Sequence, residues 1–282
     1  MLRPKTLWLL PILVTGLVAF GPAWRHAPPG VDLALVLAVD VSTSMDVDEQ
    51  DLQRQGYVEA FRSPMVHQAI GNGMLGRIAV SYVEWAGGHR HRFHRVVVPW
   101  TIVESRKSSI AFAHRLARTP IHRAGGTSLA DAIDFSMAYL SSGDFLAARR
   151  VIDISGDGSN NQGRLVTEAR DEAVARGVTI NGRPIMLKEP ERFENATMDA
   201  YYRDCVIGGA NAFMIPVRER KQFLTETRAK IVREIAGNAA VPGSLVQPMQ
   251  GRPRTDCDTS ESLCDELSPE HHTPMIGAGR EL

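Results

Sequence analysis

Three oxygen-bearing side chains follow one apolar segment of the sequence at alternate positions. Residues 33–39 are apolar without alternation, and Asp40, Ser42 and Ser44 come directly after them. A run of this kind is typical of a strand that is buried on both faces of a parallel sheet. Carboxylate and hydroxyl oxygens, without sulfur or imidazole, are the ligands that hard divalent cations prefer. We therefore predict a site for Mg²⁺ or Mn²⁺ on the loop after this strand.

Two later segments offer ligands of the same type. Thr127 follows a pair of glycines and precedes a strongly periodic helix, and Asp157 follows a predicted strand at 150–155. In an open parallel sheet, ligands bind beyond the carboxyl ends of the strands, so side chains from these three segments should meet at one edge. A six-coordinate ion could bind some of them directly and others through water. The predicted metal site contains Asp40, Ser42, Ser44, Thr127 and Asp157.

The charge of these ligands favours binding over catalysis. Two carboxylates would only balance the charge of a divalent ion, and the three hydroxyls are neutral, so that a Glu or Asp of a partner protein could supply the last ligand. A hydrolase with Asp40 as its nucleophile would need a general acid two residues on, and Ser42 cannot act as one. The chain also has no Gly-x-Ser-x-Gly elbow and no P-loop. We therefore expect a protein-binding module and not an enzyme. A structural protein whose metal only stabilises the fold is the main alternative, and a metal-dependent hydrolase is the less favoured one.

Apolar strands alternate with amphipathic helices along residues 32–245. This alternation predicts a Rossmann-like, doubly wound α/β domain with a mostly parallel sheet and helices on both faces. Residues 78–85 and 93–100 flank a Gly-rich turn, which predicts a hairpin and therefore one antiparallel edge strand. Elsewhere the pattern predicts helices at 102–116, 195–206 and 219–235 and a last strand at 211–217.

The candidate ligands resemble a known metal site in their order and spacing. Asp-x-Ser-x-Ser at 40–44, Thr127 in Gly-Gly-Thr-Ser and Asp157 in Gly-Asp-Gly resemble the complete metal-ion-dependent adhesion site of von Willebrand factor A domains. The resemblance extends over 32–237, and its later part is similar to a bacterial exported branch of unknown function. It implies a Rossmann-like fold, bound Mg²⁺ or Mn²⁺ and protein binding without catalysis. It also implies a last helix that shifts when the coordination of the metal changes.

One position departs from the pattern of that family. Gly156 stands where the commoner motif Thr-Asp-Gly has threonine. The departure removes no metal ligand, but we expect it to change the hydrogen bonding around the ligands.

The ends of the chain suggest export. Residues 1–24 are basic and then apolar, which is typical of a secretory signal peptide, with an uncleaved N-terminal anchor as the alternative. A Pro- and Gly-containing linker at 25–31 follows, and the polar tail at 246–282 is predicted to be disordered. Lys plus Arg and Asp plus Glu both number 32, so no net charge attracts the chain to nucleic acid or to an anionic membrane. We expect a periplasmic or secreted protein, or one anchored in the membrane through its N-terminal segment.

The three cysteines allow two states in an oxidising compartment. Cys257 and Cys264 flank a polar stretch and would either close a small disulfide loop or remain free thiols. Cys205 stands alone among apolar neighbours, so a buried, unreactive thiol is expected there.

Overall fold

The structure, a computed structural model, describes residues 27–87, 93–187, 198–237, 255–258 and 261. The predicted signal or anchor segment at 1–24 lies outside these residues, as do Cys264 and most of the tail at 246–282. Within the described part of the chain, no helix is both long and apolar enough to cross a lipid bilayer.

The described strands form one five-stranded sheet in the order β3-β2-β1-β4-β5. All neighbouring strands are parallel except β2 and β3, which form the predicted antiparallel hairpin. The strands are β1 (Gly30–Asp40), β2 (Ile78–Ala86), β3 (Phe93–Val103), β4 (Leu146–Gly156) and β5 (Thr179–Pro184). The predicted fold class, a mostly parallel sheet with one antiparallel edge strand, is therefore confirmed.

Helices cover both faces of the sheet. They are α1 (Val47–Arg62), α2 (Pro64–Gly71), α3 (Arg106–Arg118), α4 (Leu129–Ser141), α5 (Val166–Ala175), α6 (Met198–Tyr201) and α7 (Phe223–Ala236). A π-helical turn, Tyr202–Val206, continues α6, and a 3₁₀ turn, Arg220–Gln222, precedes α7.

Strand β1 lies at the centre of the sheet and is buried on both faces. Leu33, Leu35 and Leu37 pack with α1, α3 and α7, while the alternate residues Ala34 and Val36 pack with α4 and α5. Each of these leucines is fully buried and contributes on the order of 2 kcal/mol to folding. This two-sided burial explains why the sequence of the strand is apolar without alternation.

Charged residues are also buried beneath α7. Lys230 is fully buried, and its Nζ lies 2.6 Å from Asp153 Oδ1 and 2.6 Å from Glu234 Oε1. Asn181 of β5 donates from Nδ2 to Glu234 Oε2 at 2.5 Å. Arg183, also on β5 and fully buried, donates to a threonine hydroxyl of α7. Two buried cations thus accompany two buried anions, and charge-assisted hydrogen bonds attach α7 to the sheet.

The segment predicted as a last strand, 211–217, does not form a regular strand. It makes only isolated bridges, which pair Met214 with Gly182 and Val217 with Ile185. Asn211 adopts a left-handed backbone conformation with φ 60°. The Phe213 N–H donates to the Asn181 side chain at 2.9 Å. A side chain therefore takes the place of a backbone acceptor, which interrupts the ladder that the apolar pattern indicated.

Helix boundaries near residue 100 and residue 64 differ from the prediction. Strand β3 continues to Val103, where it still pairs with Ile78, so α3 begins only after Ser105. The Ser105 hydroxyl accepts the Ser108 N–H at 3.2 Å and caps the helix. Helix α2 was not predicted, although Ser63 followed by proline is a helix start signal.

The cysteines pair differently from the expected arrangement. Cys205 forms a disulfide with Cys257, 52 residues away in sequence, so Cys205 is not a free thiol. Cys257 is then not available to Cys264. The pairing requires that residues 255–258 lie against the π-helical turn, a tertiary contact that cysteine spacing does not reveal.

Candidate metal centre

Asp40 ends β1 with a fully buried side chain. Its Oδ1 accepts the N–H of Ser42 at 2.7 Å. Its Oδ2 is buried and accepts no hydrogen bond from any described residue. A buried carboxylate oxygen without a partner costs on the order of 1–3 kcal/mol, and more if it is charged, so the position is one that a bound cation would stabilise.

A chain of hydroxyls connects this loop to β4. Ser44 Oγ donates to Asp157 Oδ1 at 2.6 Å. Ser42 Oγ and Ser44 Oγ lie 2.7 Å apart, and because Ser44 uses its proton on Asp157, Ser42 is the donor of this pair. Four of the five predicted ligands are therefore brought together at the carboxyl ends of β1 and β4.

Thr127 lies against the loop that carries Asp157. Its backbone makes two hydrogen bonds to Asn161: the Thr127 N–H donates to Oδ1 at 2.9 Å, and the Thr127 carbonyl accepts the Asn161 N–H at 3.0 Å. A Cβ built on Gly158 would lie 3.6 Å from Thr127 Oγ1. Sequence reasoning missed Asn161, although asparagine in a Gly- and Ser-rich loop often binds nearby backbone groups.

The charges in the site oppose ionisation of Asp40. Burial, and secondly the carboxylate of Asp157, raise the pKa of Asp40 to about 8, while the hydrogen bond from the Ser42 amide lowers it. A divalent cation would reverse this balance, because it replaces repulsion between two acids by attraction to both.

The donor set fits a hard divalent cation. It combines an orphaned carboxylate oxygen, a second carboxylate and neutral hydroxyls, which are oxygen ligands throughout. Among the described residues, no group of three or more His, Cys, Asp and Glu side chains could hold a metal ion. A cation at this edge would therefore need the serine and threonine hydroxyls as ligands beside the two carboxylates.

The crowding around Asp40 explains why residue 156 is a glycine. A Cβ at this position would lie 2.8 Å from Asp40 Oδ2 and 3.1 Å from the hydroxyl of Tyr202. The Tyr202 hydroxyl donates to the Gly156 carbonyl at 3.5 Å. Burial, and secondly the charge of Asp40, raise the pKa of the Tyr202 hydroxyl well above its ordinary value. A neutral tyrosine hydroxyl thus occupies the space next to the missing side chain. Sequence reasoning did not find Tyr202.

Glutamines of α1 hold the backbone of the ligand loop. Gln50 Nε2 donates to the Ser42 carbonyl at 2.9 Å, and Gln53 Nε2 donates to the Asp40 carbonyl at 3.1 Å. Gln53 also accepts the hydroxyl of Ser155 at 2.8 Å, which connects β1 to β4. Both glutamines are buried, so these bonds are shielded from water and fix the positions of the ligands.

Two arginines lie at the rim of the site. Arg123 donates to the Thr43 carbonyl at 3.2 Å and also to the Met45 carbonyl. Arg220 lies 3.1 Å from Asp46, the residue that caps α1. Arg220 is also paired with Glu49 at 3.7 Å, so of the two arginines it is Arg123, bonded to backbone carbonyls, that places positive charge beside the ligand loop.

The sheet order, the helices on both faces and the ligand edge define the fold of von Willebrand factor A domains. Proximal thread matrix protein 1 from the mussel byssus matches with a TM-score of 0.54 and 13% identity over 74% of this chain and 49% of its own. A von Willebrand factor type A protein from Catenulispora acidiphila matches with a TM-score of 0.51 and 14% identity, over 73% of this chain and 43% of its own. The pilus adhesin SpaC from Lactobacillus rhamnosus GG matches with a TM-score of 0.54 and 12% identity, over 75% of this chain and 31% of its own. The chain thus spans half or less of each of these proteins.

A sequence profile identifies the family to which the chain belongs. The profile described as protein of unknown function DUF1194 matches residues 30–239, so the chain belongs to this family. No curated protein matches the chain.

Proposed function

We propose that the protein is an exported binding module that engages an acidic residue of a partner protein through Mg²⁺ or Mn²⁺. Asp40 and Asp157 provide the charged ligands, and Ser42, Ser44 and Thr127 provide the neutral ones. The observation that carries the proposal is the buried Oδ2 of Asp40, which has no hydrogen-bond partner among the described residues. A cation is the group whose binding best stabilises such an oxygen.

The bound cation would supply an attachment point for a carboxylate. Two protein carboxylates only balance its divalent charge, and the serine and threonine ligands are neutral, so a carboxylate of a partner can still bind at an open coordination position. Arg123 at the rim adds positive charge that favours the approach of an acidic surface. Two of the structural neighbours are described as a pilus adhesin and a thread matrix protein, which supports an interaction module.

Metal titration of ligand variants tests the metal site. Purified protein is titrated with Mn²⁺ in a calorimeter, as wild type and as the variants Asp40→Ala and Asp157→Ala. Asp51→Ala is the matched control, because Asp51 is an exposed acid on α1. Both ligand variants should lose binding, whereas the control should match the wild type. Unchanged Mn²⁺ binding in both ligand variants would overturn the proposal.

Capture of the partner tests the binding function. Crosslinking pull-down from the native envelope is run with and without a chelator, using wild type and Asp40→Ala. A protein captured only by the wild type and only without chelator supports the proposal. A melting temperature that rises with Mg²⁺, without any metal-dependent capture, would instead favour a structural role for the metal.

A further inference from the structure

Part of the C-terminal tail lies against the metal-site face of the domain. The N–H of Thr255 donates to Asp204 Oδ2 at 2.9 Å. Two residues later, Cys257 is joined by the disulfide to Cys205 in the π-helical turn. We call residues 255–258 together with Glu261 the tail strap.

Glu261 is the most buried residue of the tail strap, with 5% of its surface exposed. Its Oε1 accepts the hydroxyl of Tyr201 at 2.9 Å, and its Oε2 accepts Asn160 Nδ2 at 2.9 Å. The N–H of Val166, the first residue of α5, lies 3.3 Å from Oε2. Burial raises the pKa of this carboxyl, and these donors oppose the rise.

Glu261 caps the N-terminus of α5, which has no capping side chain from the residue that precedes it. The residue before the helix, Leu165, makes no side-chain capping bond. A carboxylate at the first turn satisfies an open N–H group and interacts favourably with the helix dipole. The cap therefore comes from a residue that is 95 positions away in sequence.

Two routes connect this carboxylate to the metal ligands. In the first route, Glu261 accepts a hydrogen bond from Asn160. The next residue, Asn161, makes the two hydrogen bonds that position Thr127. Asn160 also accepts the N–H of Ala130 at 3.2 Å and thereby fixes the start of α4, directly after Thr127.

The second route passes through the two tyrosines. Glu261 accepts the hydroxyl of Tyr201, and the next residue, Tyr202, places its hydroxyl beside Gly156 and Asp40. Glu261 therefore contacts the sequence neighbours of Asn161 and Tyr202, the two residues that lie against Thr127 and Asp40.

We propose that Glu261 is a positioning residue for the metal centre and that the Cys205–Cys257 disulfide makes its action redox-sensitive. The inference rests on the proposed function, because its effect is measured at that metal site. Reduction by a dithiol breaks the S–S bond, each cysteine sulfur gains one electron and one proton, and the dithiol becomes a disulfide. Cys205 is fully buried and Cys257 is half-buried, so Cys257 is the sulfur that an attacking thiolate reaches.

Tether length gives the direction of the redox effect. Glu261 is four residues from Cys257, which keeps it within about 14 Å of the disulfide. Without the disulfide, the preceding described residue of the domain is Gly237, 24 residues away. A longer tether lowers the effective concentration of a docking group, so loss of the disulfide weakens the docking of Glu261.

The experiment compares Glu261→Gln with a matched control, Glu168→Gln, which removes one negative charge from an exposed residue in the first turn of α5. Three quantities are measured on the full chain: Mn²⁺ affinity, melting temperature, and hydrogen exchange of the peptides that contain residues 127–130 and 157–166. We expect Glu261→Gln to weaken Mn²⁺ binding about tenfold and to speed exchange in both peptides, while the Mn²⁺ affinity of Glu168→Gln stays within twofold of the wild type. Glu261→Asp, which keeps the carboxylate, should restore part of the affinity.

Reduction gives an independent arm of the same test. Wild type treated with dithiothreitol and the Cys205→Ser, Cys257→Ser double variant should both bind Mn²⁺ more weakly than the oxidised wild type, by no more than Glu261→Gln does. Dithiothreitol should have no effect on the double variant. A loss of melting temperature without a change in Mn²⁺ affinity, in a protein whose wild type binds the metal, would overturn this inference alone. A wild type that binds no Mn²⁺ would overturn the proposed function instead.

Discussion

Metal binding at the candidate centre should release a proton from Asp40. Burial and the charge of Asp157 raise the pKa of Asp40 to about 8 in the metal-free protein. A carboxyl group has to be deprotonated before it can act as a metal ligand. At pH 7 roughly nine in ten metal-free molecules therefore carry a proton on Asp40, and the cation has to displace it.

The pH dependence follows from the fraction of molecules in which Asp40 is ionised. Metal affinity should rise about 50-fold between pH 6 and pH 8 and only about twofold between pH 8 and pH 9. The number of protons released per metal ion should fall from about 1 at pH 6 to about 0.5 at pH 8 and about 0.1 at pH 9.

Calorimetry measures both quantities. Mg²⁺ is used, because Mn²⁺ oxidises in alkaline solution, and each titration is run in two buffers that differ in ionisation enthalpy. The difference between the two apparent enthalpies gives the number of protons released at each pH. Asp51→Ala, an exposed acid on α1, should reproduce the wild-type curve. An affinity that does not change between pH 6 and pH 9, with no proton release, would show that Asp40 is already ionised and would refute the reasoning.

Three further predictions concern stability. Since the pKa of Asp40 is raised in the folded state, the metal-free fold should lose stability as pH rises from about 4 to about 8, by at most about 1.4 kcal/mol per pH unit, which urea unfolding in chelator measures. Lys230→Met leaves Asp153 and Glu234 buried without their shared cation, so urea unfolding should show a loss of about 3–5 kcal/mol; a loss below 1 kcal/mol would contradict a paired buried charge. Gly156→Ala places a Cβ 2.8 Å from the Asp40 carboxylate and should lower the free energy of unfolding by about 1–3 kcal/mol. An unchanged free energy of unfolding would show that Asp40 and Tyr202 can move away from the new Cβ without cost.

The sequence predicted the sheet and the ligand edge because both depend on short-range patterns. The apolar run of β1 ends at Asp40, and β4 ends at Gly156, directly before Asp157. Parallel strands end at the same edge of a sheet, so the proximity of Asp40 and Asp157 follows from the fold class. The hairpin at 78–103 was predicted in the same way, from apolar segments around a Gly-rich turn.

The supports of the ligands were not predictable because they come from distant parts of the chain. Tyr202 occupies the space beside Gly156, and Glu261 caps α5, yet neither residue type signals such a contact locally. Cys205 resembled an inert thiol because its neighbours in sequence are apolar, although its partner lies in the polar tail. Contacts of this kind are set by packing between elements, which periodicity and spacing do not encode.

The length and direction of β1 determine where the candidate centre faces. The strand has 11 residues, so Gly30 at its start and Asp40 at its end are about 33 Å apart. The chain enters the domain at the first of these residues, and the ligand loop leaves from the second. The candidate centre therefore lies at the opposite end of the central strand from the point at which the chain enters the domain. A partner bound at the centre would approach the domain from the end away from that entry point.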